Sequence, residues 1–131
     1  MLDFPEINLS VQNQTKGKLP SLSFDIYKSA VLGSKYELSV NFVSEAQIHK
    51  LNNVYRGFDK PTDILSFPLD KNSGEIFICL KKLAEKAPLF ERSKENYLAY
   101  LYIHGLVHLK GYDHGEEMEK LETKFRKKFN I

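Results

Sequence analysis

The chain has 131 residues and 15.2 kDa, with 42% hydrophobic and 27% charged residues and a mean hydropathy of −0.38. This composition describes a soluble globular protein and excludes a disordered chain. Nineteen Lys and Arg against seventeen Asp and Glu leave a net charge of +2, too mild to mark a nucleic-acid binder by charge alone.

The longest apolar run, Tyr97–Ile103, falls far short of the ~20 residues of a membrane helix, so no membrane association is expected. Met1–Glu6 has neither a positive nor an apolar segment, and no secretory signal is expected. A single cysteine, Cys79, rules out an internal disulfide and fits a reducing, cytoplasmic setting. No repeat or linker interrupts residues 1–131, which predicts one domain.

In chain order, Glu6–Gln14 alternates apolar and polar residues and predicts a strand. Pro20 and Ser21 open a predicted helix that runs to Leu32, with Gly33 as its stop. Tyr36–Val43 alternates again as a second strand. Ser44 and Gln47 have capping-box spacing and predict a helix over Glu45–Val54. Tyr55–Asp63 reads as a loop punctuated by Gly57 and Pro61. Ile64–Pro68 and Glu75–Cys79 predict two short strands joined through Asn72-Ser73-Gly74. Leu80–Ala87 predicts a short helix. Ser93–Lys110 is the longest helical pattern, with Gly111 placed for a left-handed residue past its end. Glu116–Phe129 predicts a last helix, acidic at its start and basic at its end, as the helix dipole favours. Four strands among about five helices indicate an α+β or α/β domain.

Three of the four histidines, His104, His108 and His114, lie within eleven residues. Residues four apart share one helix face, so His104 and His108 can reach one ion. Gly111 lets the chain reverse and return His114. Three neutral imidazoles with an open fourth position describe a catalytic zinc site, whereas structural sites are closed by four ligands. His49, distant in sequence, reads as a partly exposed helix histidine. Cys79 reads as a buried small hydrophobe on an apolar strand. Gly105 stands where zinc peptidases of the His-Glu-x-x-His pattern carry their general base. It admits two readings: close approach of a strand or substrate beside the metal, or helix packing.

A second cluster is the loop holding Tyr55, Arg56, Phe58 and Lys60. Arg56 and Lys60 suit phosphate, and Tyr55 and Phe58 suit base stacking; a solvated turn explains the same residues.

His104-Gly105-Leu106-Val107-His108-Leu109-Lys110-Gly111-Tyr112-Asp113-His114 resembles the signature of the YbeY family of bacterial metal-dependent endoribonucleases, with Val107 where leucine is usual. Asn52–Pro68 is similar to that family's second block, with Ile64 for valine. Gly74–Ile78 resembles its following strand, with Glu75 for aspartate. The resemblance covers roughly residues 36–122.

It implies a zincin-like α+β domain with an about four-stranded mixed sheet and about five helices. It implies one zinc ion (Zn2+) on His104, His108 and His114, and Arg56 as the functionally implicated arginine. It also implies cleavage of single-stranded RNA, maturation of the 3′ end of small-subunit (16S) rRNA, ribosome quality control and work beside the small ribosomal subunit; DNA is not an expected partner. Tyr55, Arg56 and Lys60 are the candidate substrate contacts. Asp113 is a candidate base, a carboxylate orienting an imidazole, or a turn cap. Asp63 is a further candidate for orienting an imidazole. Two competing readings are a zinc peptidase, against which Gly105 argues, and a non-catalytic RNA-binding assembly module with a structural metal.

Overall fold

A computed structural model describes residues 8–131. Glu6 and Ile7 of the first predicted strand lie outside the described residues. The elements run β1 (Leu9–Asn13), α1 (Phe24–Leu32), β2 (Glu37–Phe42), α2 (Glu45–Arg56), β3 (Ile64–Asp70), β4 (Ser73–Ile78), α3 (Leu80–Lys86), α4 (Lys94–Leu109) and α5 (Glu116–Phe129), with a 3-10 turn at Ala87–Phe90. The domain is α+β, with five helices on a four-stranded mixed sheet.

The sheet order is β1-β2-β4-β3. β1, β2 and β4 run parallel, and β3 pairs antiparallel with β4 as an edge strand. The larger core lies on one face, where Leu38, Val40, Phe42, Ile76 and Ile78 meet α1, α4 and α5. The other face carries a smaller cluster under α2: Val43, Ile48, Leu65 and Cys79.

α4 is the centre of the larger core. Ten of its sixteen residues are buried, as expected of a helix that is apolar on nearly every side. It approaches β3 and β4 at Gly105. A Cβ built there would sit 2.9 Å from Ser66 Oγ, 3.0 Å from Ile64 Cδ1 and 3.2 Å from Ile76 Cδ1. Gly105 is therefore a packing glycine whose missing side chain is replaced by the sheet.

Several predicted boundaries shift for physical reasons. α1 begins at Phe24 and not at Ser21, because Ser23 takes the cap position and Phe24 buries its ring against Phe42 and Tyr102. α2 continues to Arg56, where Gly57 in the left-handed region (φ +74°) ends it. The capping box at Ser44 and Gln47 is formed as predicted. β3 runs past Pro68 to Asp70, since an edge strand tolerates a proline that cannot donate to the ladder. Cys79 caps the start of α3 instead of ending a strand, though it is buried as expected. Among the described residues no helix is long and apolar enough to cross a membrane.

Alanine ordinarily gains ~1 kcal/mol over glycine inside a helix, whereas overpacking a tight core costs roughly 1–3 kcal/mol. Gly105→Ala should therefore lower stability by about 1 kcal/mol in urea unfolding, the steric cost exceeding the helix gain. A more stable variant would show that Ser66 and Ile64 yield without cost.

Candidate metal centre

His104 and His108 project from the last two turns of α4. The helix stops because Gly111 adopts φ +110°, and its amide donates to His108 O at 2.9 Å. The chain reverses through Tyr112 and Asp113 and brings His114 back over the helix. Ring centres are 4.7 Å apart for His104–His108, 4.6 Å for His108–His114 and 5.2 Å for His104–His114. One nitrogen from each imidazole lies within 4.8 Å of the others, so the three can hold one metal ion.

Two of the rings are oriented from behind. His104 Nδ1 donates to Glu122 Oε1 at 2.6 Å, and His108 Nδ1 donates to Tyr112 O at 3.0 Å. A carbonyl oxygen only accepts, so His108 must carry its proton on Nδ1. Both residues then present the unprotonated Nε2 to the shared space, which is the form a metal requires. The donor set fits an ion of the zinc type: three neutral nitrogens, with a cleft on the remaining side. Burial, first, and the neighbouring His104 charge, second, hold the His108 pKa below its ordinary value of 6.5; the bond to Tyr112 opposes them.

Glu122 was not foreseen from the sequence. It sits on α5 between Met118 and Phe125, and all three are buried. An acidic residue in the apolar stripe of an amphipathic helix was the available signal, since a buried carboxylate needs a partner.

The three histidines open onto a cleft of about 500 Å³ whose lining includes Arg56, Ser66, Pro68, Tyr112 and Asp113. Arg56 reaches it from the C-terminal turn of α2, and edge strand β3 forms a wall. Asp113 is exposed on the rim. The cleft brings together Arg56, Asp113 and the histidines among the sequence-derived candidates.

The structure separates the others. Tyr55 lies one helical step from Arg56, so its ring turns to Phe67 on the opposite face of β3, 5.5 Å away. It lines a different hollow with Leu51, Leu69 and Phe77. Lys60 Nζ sits 6.0 Å from the centre of the Phe58 ring and does not line the histidine cleft. Asp63 orients no imidazole: it is buried, accepts from Tyr97 OH at 3.1 Å and pairs with Lys86 at 3.5 Å. That contact ties the start of β3 to α4. His49 is half-exposed and pairs with Asp59 at 2.7 Å.

Fold and site together define an α+β protein with a three-histidine metal-binding cleft beside an antiparallel edge strand. Residues 7–130 match the family model described as Endoribonuclease YbeY, and the chain belongs to that family. It is similar to proteins named Endoribonuclease YbeY from three organisms. Identity is 41% over 71% of this chain for Finegoldia magna and 41% over 70% for Alkaliphilus metalliredigens. It is 35% over 86% of this chain for Pelotomaculum thermopropionicum. The matched segments span 65%, 66% and 82% of those proteins, so the first two are covered over slightly less than two thirds of their length. The solution structure of TM1509 from Thermotoga maritima matches the fold with a TM-score of 0.64 at 29% identity, over 93% of this chain and 91% of that one.

Glu122→Gln keeps the shape but removes the charge behind His104. Metal affinity by calorimetry should fall about 10–100-fold, and unchanged affinity would show that Glu122 plays no part in orienting the ligand. The His108 shift also sets a pH dependence. A histidine whose folded pKa is lowered is protonated first in the unfolded chain, so stability is lost as pH falls below about 6.5. Metal-free protein should unfold at lower urea at pH 5.5 than at pH 7.5, and His108→Gln should shrink that difference.

Proposed function

We propose that this protein is a single-strand-specific metal-dependent endoribonuclease using one zinc ion. We further propose that it works in the cytoplasm beside the small ribosomal subunit, maturing the 3′ end of 16S rRNA and serving ribosome quality control. Family membership supports RNA as substrate. The observation that carries the reading is that Arg56 and the three histidines line one cleft.

Bound there, a divalent ion supplies Lewis-acid activation of water and of a phosphoryl oxygen. The protein's own residues do the rest. Arg56 offers a planar fork of donors to non-bridging phosphate oxygens and neutralises the charge that develops on them. The capped helix end fixes its backbone, and its guanidinium carbon lies 5.2 Å from the centre of the Phe58 ring. Glu122 and the Tyr112 carbonyl keep His104 and His108 in one tautomer. Asp113 is the carboxylate lining the cleft among the described residues, and in this reading it accepts the proton of the attacking hydroxyl. No general base comes from the position after His104, because Gly105 faces Ser66 and Ile64 of the sheet. That packing weighs against a peptidase of the His-Glu-x-x-His kind.

Zinc-loaded protein should cleave unstructured RNA and leave unfolded protein chains intact. Arg56→Ala should cut the cleavage rate on the order of 10²–10³-fold, the usual loss of one preorganised donor. His114→Ala should abolish cleavage while the fold survives, because His114 is exposed on a loop and leaves no buried partner behind. Full activity in a folded His114→Ala protein would overturn the reading. A 2′,3′-cyclic phosphate at the product end would assign the attack to the RNA 2′-hydroxyl and exclude direct attack by water.

A further inference from the structure

The nineteen basic residues include only three arginines: Arg56, Arg92 and Arg126. Every ion pair among the described residues uses a lysine or a histidine. Glu45 binds Lys81 and Lys82, Asp63 binds Lys86, Glu116 and Glu117 bind Lys120, and Glu122 binds His104. None of the three guanidiniums has a carboxylate of the described residues within 4.0 Å.

Two of them converge on one ring. Arg92, after the 3-10 turn, and Arg126, on α5, place their guanidinium carbons 4.6 and 5.0 Å from the centre of the Tyr100 ring. Each is half-buried and pinned by a neutral acceptor. Arg92 Nη1 donates to Asn96 Oδ1, and Arg126 Nη2 donates to Thr123 Oγ1 at 3.0 Å. One of the guanidinium's five N–H groups is thus engaged in each, and the others point elsewhere. Stacking on the ring offsets only part of the cost of holding each cation half-buried. Two cations held partly out of water with no carboxylate partner leave donors free for the phosphates of a polyanion.

Their position adds the second argument. Tyr100 and Arg126 line a hollow of about 200 Å³ whose other wall is His104 and His114. Those two imidazoles also line the Arg56 cleft, so the two spaces meet at the histidine cluster. Phe90, 50% exposed, stacks on Tyr97 at 5.1 Å, and Tyr97 stacks on Tyr100 at 5.8 Å. The column ends in an accessible ring. Of the two carboxylates lining the hollow, Glu122 is engaged by His104 and Glu119 is exposed to solvent.

We propose that Arg92 and Arg126, stacked on Tyr100, form a second phosphate-binding subsite that holds the RNA backbone on the far side of the histidines from Arg56, with Phe90 presenting its ring to a base. The proposal rests on the ribonuclease reading for its ligand. Its binding test needs no metal.

Fluorescence anisotropy on the metal-free protein compares a single-stranded RNA dodecamer with a trinucleotide. In the Arg92→Gln/Arg126→Gln protein the dodecamer should bind roughly tenfold more weakly. The slope of log affinity against log salt should become shallower by about 1.4, at ~0.7 per phosphate contact on a single strand. Trinucleotide binding should be unchanged. The Arg92→Lys/Arg126→Lys protein should recover the salt slope but bind the dodecamer about threefold more weakly than wild type, because lysine keeps the charge and loses the fork. It carries the test if the glutamine pair unfolds. Wild-type dodecamer affinity and salt slope in folded glutamine variants, or wild-type affinity in the lysine pair where the glutamines unfold, would overturn the subsite and leave the arginines a clamp on α4. The two readings fail separately. Wild-type protein that does not cleave RNA, with a dodecamer loss in the variants, removes the nuclease and keeps the subsite. Cleavage by wild type with no loss in the variants does the reverse.

Discussion

Everything at the site hangs on how closely α4 lies against the sheet. Gly105 is one residue past His104, and the sheet occupies the volume its side chain would take. This contact sets the height of His104 and His108 above edge strand β3. β3 in turn follows the segment that leaves Arg56 at the end of α2. Asp63 pins the start of that strand to Tyr97, near the beginning of α4. Arg56 and the histidines thus share a cleft because one helix is fastened at two points to one strand.

A helix buried on nearly every side is a costly place for two imidazoles, and the surrounding backbone and α5 meet that cost. Unpartnered polar groups lose on the order of 1–3 kcal/mol on burial. Tyr112, whose carbonyl accepts the His108 Nδ1–H hydrogen bond, belongs to the same reversal that returns His114. The turn at Gly111 therefore supplies a ligand and orients another. α5 adds Glu122 behind His104 while its apolar neighbours Met118 and Phe125 close the core. The helix that seals the hydrophobic interior is also the one that sets a tautomer.

Much of this was readable in the residues, and the exceptions share a cause. Periodicity located all five helices and four strands, because each buries one face or stripe against a neighbour. The histidine spacing was legible because i, i+4 geometry and a left-handed glycine are local. Glu122 was not, since its partner is eighteen residues away and only the folding of α5 onto α4 joins them. Tyr55 and Lys60 were grouped with Arg56 by sequence proximity. Two extra residues of helix in α2 broke that group, because one helical step turns a side chain through about 100°. Asp63 shows the same limit: a carboxylate near the site in sequence is spent on a tyrosine and a lysine.

The net charge of +2 hid the electrostatics for a related reason. Lysines and acids cancel in pairs on the α2–α3 face and at the start of α5, leaving little field there. At physiological salt, charges beyond about 8 Å are largely screened from one another. A group reacting at the histidines therefore responds to the charges bordering the cleft and hardly at all to the sum over the chain. Those borders carry Arg56 and Asp113 at the cleft, and Arg126 with Glu119 and Glu122 at the adjoining hollow. Arginine at these places, where lysine serves elsewhere, gives planar forks that keep their charge whether exposed, as at Arg56, or half-buried, as at Arg126. A mildly basic protein can in this way set its contacts by where a few guanidiniums stand and without a basic surface.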